Sequence, residues 1–480
     1  MIYAIMSQRQ RGACGGGEVA SEEAAKAVTD LGEVWPSRRS RMGPGTHLLI
    51  YVLVVAVPYA LALSIHVQHR ALFQSLVTLL NICGLAALLL QFPLASRSRA
   101  LARSMGIDAA MLIHRRVGET LAIFFFLHPF LILVPRLLIA PQRALGDVWS
   151  TFLAGNVQTG LYAWAILIVW VLVAWSRRKA GLSYEAWRIS HGVGFATVAI
   201  LATLHAITVG RHGQAQPWFN WLWIGLCTMA VTLVLYGLFV RPHLWRRHPF
   251  RVRQIVKAGA SDWELEIERD GDFPFEFDAG QFIWLTTSNR PWYRTEHPFS
   301  IASSPTEVPR LKFIIRQLGD FTASLGNLQV GQRVLVDGPF GVFTLAGRSA
   351  RGLAFIAGGA GIGPILGILR SLREQHEVRP IRLLYGNRTA EQMVAQTEIS
   401  EMTKQLADFR QLLALERPDP RAHHVGFIDQ TLISNALPAE ARHHWLVFVC
   451  GPPAMVKSVV KTLRKLGYPR RSIIYEQLGF

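Results

Sequence analysis

The sequence predicts a six-helix transmembrane bundle, followed by an antiparallel β-barrel and then by an α/β domain with a parallel sheet. Hydrophobic residues make up 51% of the 480 positions, and their longest runs lie between residues 47 and 240. The second half has an ordinary soluble composition, in which short strand patterns precede alternating strands and helices. We therefore expect four segments: a tail over 1–46, a bundle over 47–244, a barrel over 245–345 and an α/β domain over 346–480.

The N-terminal segment is rich in Gly, Ala, Glu and Arg and has no hydrophobic periodicity. Its apolar start, Met1–Met6, is too short for the hydrophobic region of a signal peptide. We expect residues 1–46 to form a disordered cytoplasmic tail. A start of translation at Met42 is the alternative interpretation.

Six apolar runs follow, and each is close to the roughly 20 residues that a helix needs to cross a bilayer. Arginine clusters lie before the first run, between the second and third, between the fourth and fifth, and after the sixth. This distribution follows the positive-inside rule, so both termini and the soluble half are expected in the cytoplasm. The predicted spans are residues 47–65, 72–92, 110–134, 153–175, 187–209 and 218–240.

The formal net charge is +18, which raises the question of an acidic partner. Because the basic clusters lie at the ends of apolar runs, anionic membrane lipids are the expected partner and nucleic acid is not. The four cysteines include no C-x-x-C pair. The sequence therefore predicts no zinc site, no iron–sulfur cluster and no disulfide framework.

Four histidines lie inside two of the predicted spans, in pairs with the same spacing. His114 and His128 lie in the third span, and His191 and His205 lie in the fifth, each pair 14 residues apart. Fourteen residues make almost four helical turns, so both rings of a pair share one helix face about 21 Å apart along the axis. If both spans run outward, His114 faces His191 and His128 faces His205. Two facing imidazoles can occupy both axial positions of a haem iron, so two b-type haems are expected.

Two other interpretations of these histidines stay open. A buried membrane histidine often makes only a helix–helix hydrogen bond. In a transporter, such histidines would relay protons or bind a metal ion, and the soluble half would then be regulatory.

The run His297-Pro298-Phe299-Ser300 closes a predicted strand. It resembles the ferredoxin–NADP reductase superfamily, specifically its membrane branch of ferric reductases and NADPH oxidases. The resemblance implies bound FAD, with Phe299 packed on the isoalloxazine, Ser300 bonded near its reactive nitrogen and His297 reaching toward the phosphate chain. Physically, an aromatic face stacks on a planar ring, and a small hydroxyl can approach a ring edge without blocking hydride entry.

A second segment also resembles the flavin site of that family. Arg316 and the run Gly319-Asp320-Phe321-Thr322 correspond to a cation, a close-approach glycine and a hydroxyl that meet the pyrophosphate. Residues 337–341 resemble the D-G-P-[YF]-G turn of the family, for which a purely structural role is the alternative.

A glycine-rich loop follows the predicted strand at residues 353–357 and opens a helix. Gly358, Gly359, Gly361 and Gly363 would let backbone N–H groups approach phosphates at the helix N-terminus. By resemblance, Arg388 in a later loop meets the 2′-phosphate of NADPH. Arginine is also found there in enzymes that use NADH, so both nicotinamide cofactors stay open.

Two further motifs complete the resemblance. Cys450-Gly451-Pro452-Pro453-Ala454-Met455 matches C-G-P-x-x-M, which implies that Cys450 lies beside the nicotinamide. The terminal Phe480 would shield the flavin and yield when the nicotinamide stacks, with a buried core aromatic as the alternative. Ser300, Cys450 and Phe480 are thus the expected catalytic residues.

These features predict an NAD(P)H-dependent flavohaem oxidoreductase that moves electrons across the membrane. Hydride from the nicotinamide would reach FAD, and single electrons would then pass to two haems and to an extracytoplasmic acceptor. Dioxygen and ferric or cupric ions are the two acceptors expected from the resemblance. A separate redox partner protein, such as a periplasmic repair protein, is the third.

Overall fold

The computed structural model describes residues 44–287 and 296–477, apart from residue 66, residues 68–71, residues 177–183 and most of residues 140–153. The predicted tail lies almost wholly outside the described residues, and so does Phe480.

The described residues include six helices that are long and apolar enough to cross a membrane, which confirms the six predicted spans. They pack around small residues, since the side chains of Ala86, Ala199 and Ala230 are fully buried. Three short helices and a π-helical turn, Tyr236–Val240, connect or extend them. The helices are α1 Pro44–Leu63, α2 Leu72–Ala95, α3 Arg99–Met105, α4 Ile107–Ile139, α5 Gln158–Ser176, α6 Tyr184–Val209, α7 Arg211–Ala215, α8 Trp218–Leu235 and α9 Arg241–Arg247.

An antiparallel six-stranded sheet follows the helices. Its strands are β1 Phe250–Lys257, β2 Asp262–Arg269, β3 Phe282–Thr286, β4 Glu296–Ser300, β5 Arg310–Arg316 and β6 Arg333–Phe340, in the order β4-β3-β6-β1-β2-β5. A short helix, α10 Asp320–Ser324, lies between β5 and β6.

The antiparallel prediction is confirmed, but the sheet is not a closed barrel. The edge strands β4 and β5 share no ladder and meet only where the chain leaves β4, at one isolated bridge between Ile301 and Phe313. Beyond this bridge the chain turns away at Ser304, whose side chain caps a 3-10 turn at Pro305–Glu307. Pairing therefore stops before the two edges can join along their length.

A parallel six-stranded sheet forms the last part of the chain, as predicted. Its order is β10-β9-β8-β7-β11-β12, and its strands are β7 Gly352–Gly358, β8 Ile381–Asn387, β9 Phe409–Leu415, β10 His424–Val425, β11 Trp445–Gly451 and β12 Ile473–Gln477. The helices that accompany it are α11 Ile362–Glu374, α12 Gln396–Gln405, α13 Gln430–Ala436, α14 Ala441–His444 and α15 Pro453–Lys465.

One predicted helix begins later than expected. The sequence pattern of the α/β domain predicts a helix over Glu391–Gln405, but α12 begins at Gln396. Ala395 has a left-handed backbone with a φ of 57°, which no continuous right-handed helix can contain.

The helical bundle and the antiparallel sheet share a small apolar core. Ala102 of α3 and Ile107 of α4 pack with Phe282, Trp284 and Phe340 from β3 and β6. This contact places β3 and β6 of the sheet directly against the end of the bundle.

The two sheets are joined by a buried arginine. Arg370 of α11 donates to the carbonyl oxygen of Ala302, 2.8 Å away, and forms an ion pair of 2.6 Å with Glu398 of α12. The segment that follows β4 is thereby tied to the first helix of the parallel sheet.

Candidate functional site

The structure brings His114 of α4 together with His191 of α6. Their ring centroids are 6.5 Å apart, and the ring planes are inclined by 74°. Metal–imidazole bonds are about 2 Å long, so two of them would take up most of this distance. The two rings therefore have the separation needed to hold one metal centre between them.

His128 and His205 lie one helical segment further along the same two helices, α4 and α6. Both line a cavity of about 960 Å³, which also reaches Asn156, Arg211 and His212. This volume lies within the range of cofactor and ligand pockets. The fold thus brings His114 close to His191 and places His128 and His205 around one cavity, and the assignment of these pairs as haem ligands stays a prediction.

Gly160 of α5 makes room for the ring of His205. A Cβ atom at position 160 would lie 2.6 Å from Nδ1 of His205, well inside contact distance. The α5 backbone and the His205 imidazole therefore approach each other as closely as a glycine allows.

The four histidines also have unsatisfied polar atoms. In each of His114, His128, His191 and His205, the buried Nδ1 atom has no hydrogen-bond partner within the described part of the chain. An imidazole buried in this way is costly unless another group binds it. No three His, Cys, Asp or Glu side chains converge among the described residues, so pairs rather than a multi-ligand metal cage are available. The two pairs fit haem.

The predicted flavin segment lies on β4, beside β3. His297, Phe299 and Phe321 of α10 form an aromatic stack, with 3.8 Å between the ring centroids of His297 and Phe321 and 6.1 Å between those of Phe299 and Phe321. Pro298 and Ser300 pair in register with Trp284 and Phe282 of β3. Half-buried aromatic faces at one sheet edge are suited to a planar ring such as isoalloxazine.

Burial lowers the pKa of His297, and the carboxylates of Glu185 and Glu296 act in the opposite direction. At neutral pH the imidazole is therefore uncharged, so it can donate one hydrogen bond and accept another.

Local hydrogen bonds and an ion pair hold the second predicted flavin segment in place. Thr322 Oγ1 accepts hydrogen bonds from the backbone N–H groups of Leu318 and Gly319, at 2.8 and 3.0 Å. Arg316 forms a two-point ion pair with the buried Asp262, with N–O distances of 3.1 and 3.0 Å. Arg316 thus lies at the end of β5, but its charge is already balanced by a carboxylate that the sequence analysis did not assign.

The glycine loop meets both sheets. Gly359, with a φ of 53°, lies so close to the Arg316 guanidinium that a Cβ atom there would collide with it. A Cβ atom at Gly361 would collide with the carbonyl oxygen of Cys450. Gly358 similarly abuts Met455 of α15, whereas a Cβ at Gly363 would make only an ordinary contact, 3.7 Å from Ile314. Close approach of backbone thus requires a glycine at Gly361, whereas the neighbours of Gly358 and Gly359 are the ends of flexible side chains; at Gly359 the positive φ also favours glycine.

The carboxyl ends of β7, β8 and β11 meet beside this loop, where parallel sheets bind nucleotides. Gly451 ends β11, and the thiol of Cys450 is completely buried, which raises its pKa well above the ordinary range. The thiol is therefore neutral at physiological pH. Arg388 follows β8, is largely exposed and lies 4.0 Å from Glu416.

Several residues near the site were missed or left unassigned by the sequence analysis. Phe321 was placed in the second flavin segment but was given no role, although it stacks on His297. Glu296 directly precedes His297 and pairs in register with Thr286 on the adjacent strand. An acidic residue directly before the motif histidine was visible in the sequence, but it lies outside the motif and was therefore not considered.

Three protein-family models match the chain in sequence order. A ferric reductase like transmembrane component matches residues 80–203, a FAD-binding domain matches residues 250–344, and an oxidoreductase NAD-binding domain matches residues 355–461. The family inferred from the sequence motifs is confirmed by this order.

Curated relatives match the second half. The reductase component of propane 2-monooxygenase from Mycolicibacterium goodii is 31% identical over 211 residues, 42% of this chain and 59% of that protein. NADH-cytochrome b5 reductase 1 from Candida glabrata is 31% identical over 197 residues, 40% of this chain and 69% of that protein. The chain thus spans less than two thirds of the propane 2-monooxygenase reductase.

Among solved structures, the Amycolatopsis cytochrome P450 reductase GcoB is 24% identical, with a TM-score of 0.43, and the match covers 48% of this chain and 69% of that one. The Malassezia yamatoensis flavohemoglobin is 18% identical, with a TM-score of 0.47, and the match covers 77% and 98%. With a ferric reductase-like transmembrane component ahead of FAD-binding and NAD-binding domains, the chain belongs by its architecture to the ferric reductase and NADPH oxidase family of membrane-bound, NAD(P)H-dependent oxidoreductases.

Proposed function

We propose that this protein carries electrons from cytoplasmic NADPH or NADH, through FAD and two b-type haems, to an acceptor on the opposite side of the membrane. The observation that carries the proposal is the pair of stacked histidine sites between α4 and α6. One has ring centroids 6.5 Å apart, and the other lines a cavity of about 960 Å³.

FAD, when bound, would take a hydride from the nicotinamide and release single electrons, which bis-histidine haems can carry. His114 and His191 would hold the inner haem, and His128 and His205 the outer one. His297, Phe299 and Ser300 would hold the flavin, together with Phe321. Gly359 and Gly361 leave the backbone accessible to the phosphates of the nicotinamide cofactor.

The chain's own residues also exclude unwanted chemistry. Phe124 and Phe125 pack near His128, with ring centroids 6.2 Å away, and Phe195 lies 4.6 Å from His191. These aromatic neighbours would make the surroundings of His128 and His191 less polar, which favours transfer of an electron over binding of a new ligand.

The acceptor is proposed to react near the outer histidine pair without binding the metal, because His128 and His205 would both serve as ligands there. Dioxygen would make the protein a superoxide-producing oxidase, and ferric or cupric chelates would make it a metalloreductase. Oxygen consumption and ferric reduction should be measured on purified protein with NADH and with NADPH, each with and without superoxide dismutase. Ferric reduction that persists with dismutase, without oxygen consumption, would identify the metalloreductase.

The competing function is a transporter in which the histidines relay protons or bind a metal ion. A reduced-minus-oxidised spectrum of the purified protein separates the two functions. The electron-transfer proposal requires b-type haem bands that appear on addition of NADH or NADPH. A flavin-containing preparation without those bands would exclude it and favour the transporter.

A further inference from the structure

A buried group of charged residues joins the helical bundle to the antiparallel sheet. It consists of Arg97, Arg188 and Arg241 from the bundle side and of Glu296 and Asp337 from the sheet. We refer to these five residues as the charged joint. None of them belongs to the haem, flavin or nicotinamide sites described above.

Glu296 is the centre of the charged joint. Arg188 binds its carboxylate at two points, with N–O distances of 2.6 and 3.0 Å. Arg97 donates to the same carboxylate at 2.7 Å and lies 3.7 Å above the ring of Trp284. Both Glu296 oxygens are therefore bound by residues of the bundle, although Glu296 itself is part of the sheet.

Asp337 forms the second half of the charged joint. Arg241 lies 2.8 Å from its carboxylate, and Arg97 lies 3.9 Å away. Arg241 also donates to the carbonyl oxygens of Ser96 and Arg97, at 3.1 and 3.3 Å. These bonds hold the turn after α2, in which Arg97 has a left-handed backbone with a φ of 52°.

The charges are buried and paired. The side chains of Glu296 and Asp337 are only 4% and 5% exposed, and that of Arg97 is 13% exposed. Burial would raise the pKa of Glu296, but Arg97 and Arg188 outweigh it and bring the pKa down to about 2. Glu296 is thus ionised at all physiological pH values, and its attraction to the bundle does not depend on pH there.

Two residues of the charged joint are close in sequence to residues of the proposed flavin and haem sites. Glu296 is the residue before His297 of the flavin segment, and its strand pairing fixes both residues against β3. Arg188 lies three residues before His191 on α6, so the two side chains share one face of the helix. The ion pair between Glu296 and Arg188 therefore connects the residue before the flavin segment to the helix that carries His191.

We propose that Glu296 and Arg188 are positioning residues that dock the flavin segment against the bundle at the distance required for electron transfer to the inner histidine pair. This proposal rests on the proposed function. In this proposal, the charged joint sets the distance for electron transfer from the flavin segment to the inner histidine pair. Hydride transfer from the nicotinamide depends on other residues.

The test uses the full-length protein in lipid nanodiscs and compares Glu296→Gln, Arg188→Gln and Arg188→Lys with the wild type. Glu268→Gln is the matched control, because Glu268 also lies in the antiparallel sheet and pairs with Arg253 at 2.8 Å, but on an exposed surface. Anaerobic rapid mixing with NADH follows flavin reduction and haem reduction as separate absorbance changes. Hydrogen–deuterium exchange of the turn around Arg97 and of β4 measures docking without any cofactor signal.

We expect Glu296→Gln and Arg188→Gln to slow haem reduction by about tenfold or more, while flavin reduction stays within about twofold of the wild type. Exchange at the Arg97 turn and at β4 should rise in the same variants. Arg188→Lys keeps the charge but loses the two-point geometry, so it should recover part of the rate. Glu268→Gln should resemble the wild type in both measurements.

Three results would overturn the proposal: faster exchange with an unchanged rate of haem reduction, a slower rate with unchanged exchange, or an equal effect of Glu268→Gln. If Glu296→Gln does not fold, Arg188→Gln carries the test, because Arg188 is 32% exposed and its removal disturbs less packing. A wild-type protein without haem bands would refute the proposed function, whereas the exchange experiment would still test docking.

Discussion

His114 and His191 lie 77 positions apart in the chain, yet their rings face each other with centroids 6.5 Å apart. The first prediction follows from this pair. His191→Ala should remove one of the two haems, so haem per flavin should fall to about half. Flavin reduction by NADH should continue. His243→Ala, on the exposed side of α9, is the control.

The measurement is haem and flavin content of the purified protein, by pigment extraction and absorbance. An unchanged haem-to-flavin ratio in His191→Ala would show that the ligand pairing is wrong. His205→Ala should lower the ratio equally, since it removes the other site.

The second prediction concerns the space that Gly160 leaves for His205. A Cβ atom at position 160 would come 2.6 Å from the His205 ring, so Gly160→Ala should displace this imidazole. We expect loss of about one haem, with retention of the other. Gly118→Ala is a matched control in α4, because nothing lies within 4 Å of its added Cβ.

In a helix without such a collision, Gly→Ala stabilises by about 0.5–1 kcal/mol. The melting temperature of Gly118→Ala in detergent should therefore equal or exceed that of the wild type, and that of Gly160→Ala should fall. Equal haem content and equal melting temperatures in the two variants would contradict the prediction.

The third prediction concerns the glycine loop. Gly361→Ala would drive a Cβ atom into the backbone carbonyl of Cys450, which cannot rotate away. We expect the KM for NADH to rise by about tenfold or more, with FAD content retained, because the flavin segment lies on the other sheet. Gly363→Ala should have a much smaller effect, since its Cβ would lie 3.7 Å from Ile314. Steady-state kinetics of both variants with NADH and NADPH provide the measurement.

The fourth prediction separates two roles of Arg316. This residue pairs with the fully buried carboxylate of Asp262, so Arg316→Gln should destabilise the protein by about 3–5 kcal/mol. The double variant Arg316→Gln/Asp262→Asn removes both charges and should recover most of that loss.

FAD affinity then distinguishes a structural ion pair from a contact to the pyrophosphate. If Arg316 acts only through Asp262, the double variant should bind FAD as the wild type does. Weak FAD binding that persists in the double variant would indicate a direct contact between the guanidinium and the cofactor. Thermal unfolding and FAD titration are the two measurements.

The fifth prediction concerns pH. The pKa of Glu296 falls from an ordinary 4.5 to about 2 in the folded protein. The stability that Glu296 contributes is therefore present in full above about pH 4.5 and is lost as the pH falls toward 2. The difference in melting temperature between wild type and Glu296→Gln should be constant from pH 8 to about 5 and should shrink below about 4.5. A melting-temperature difference that grows as the pH falls below about 4.5 would contradict the prediction.

Much of the fold was predictable because the signals are local. A run of about 20 apolar residues is long enough to cross a bilayer wherever it lies in the chain. Five of the six spans lie within three residues of their predicted bounds, and the sixth begins as predicted but continues to Arg247. The glycine loop was predictable for the same reason, since a strand, a tight turn and a helix are contiguous in sequence. The predicted start of α12 was wrong because hydrophobic periodicity does not reveal the left-handed backbone conformation of Ala395.

The sequence by itself determined the spans, the order of the sheets and the equal 14-residue spacing that places two imidazoles on one face of each helix. Only the tertiary structure decided that the antiparallel sheet stays open, that Gly160 faces His205, and that Arg316 is neutralised by Asp262. It also decided that Arg188 and Glu296, 108 positions apart, bind each other at the joint between the two halves. The physical reason is that hydropathy and helical periodicity act over a few turns of chain. Ion pairs and close backbone contacts instead depend on which distant segments the fold brings together.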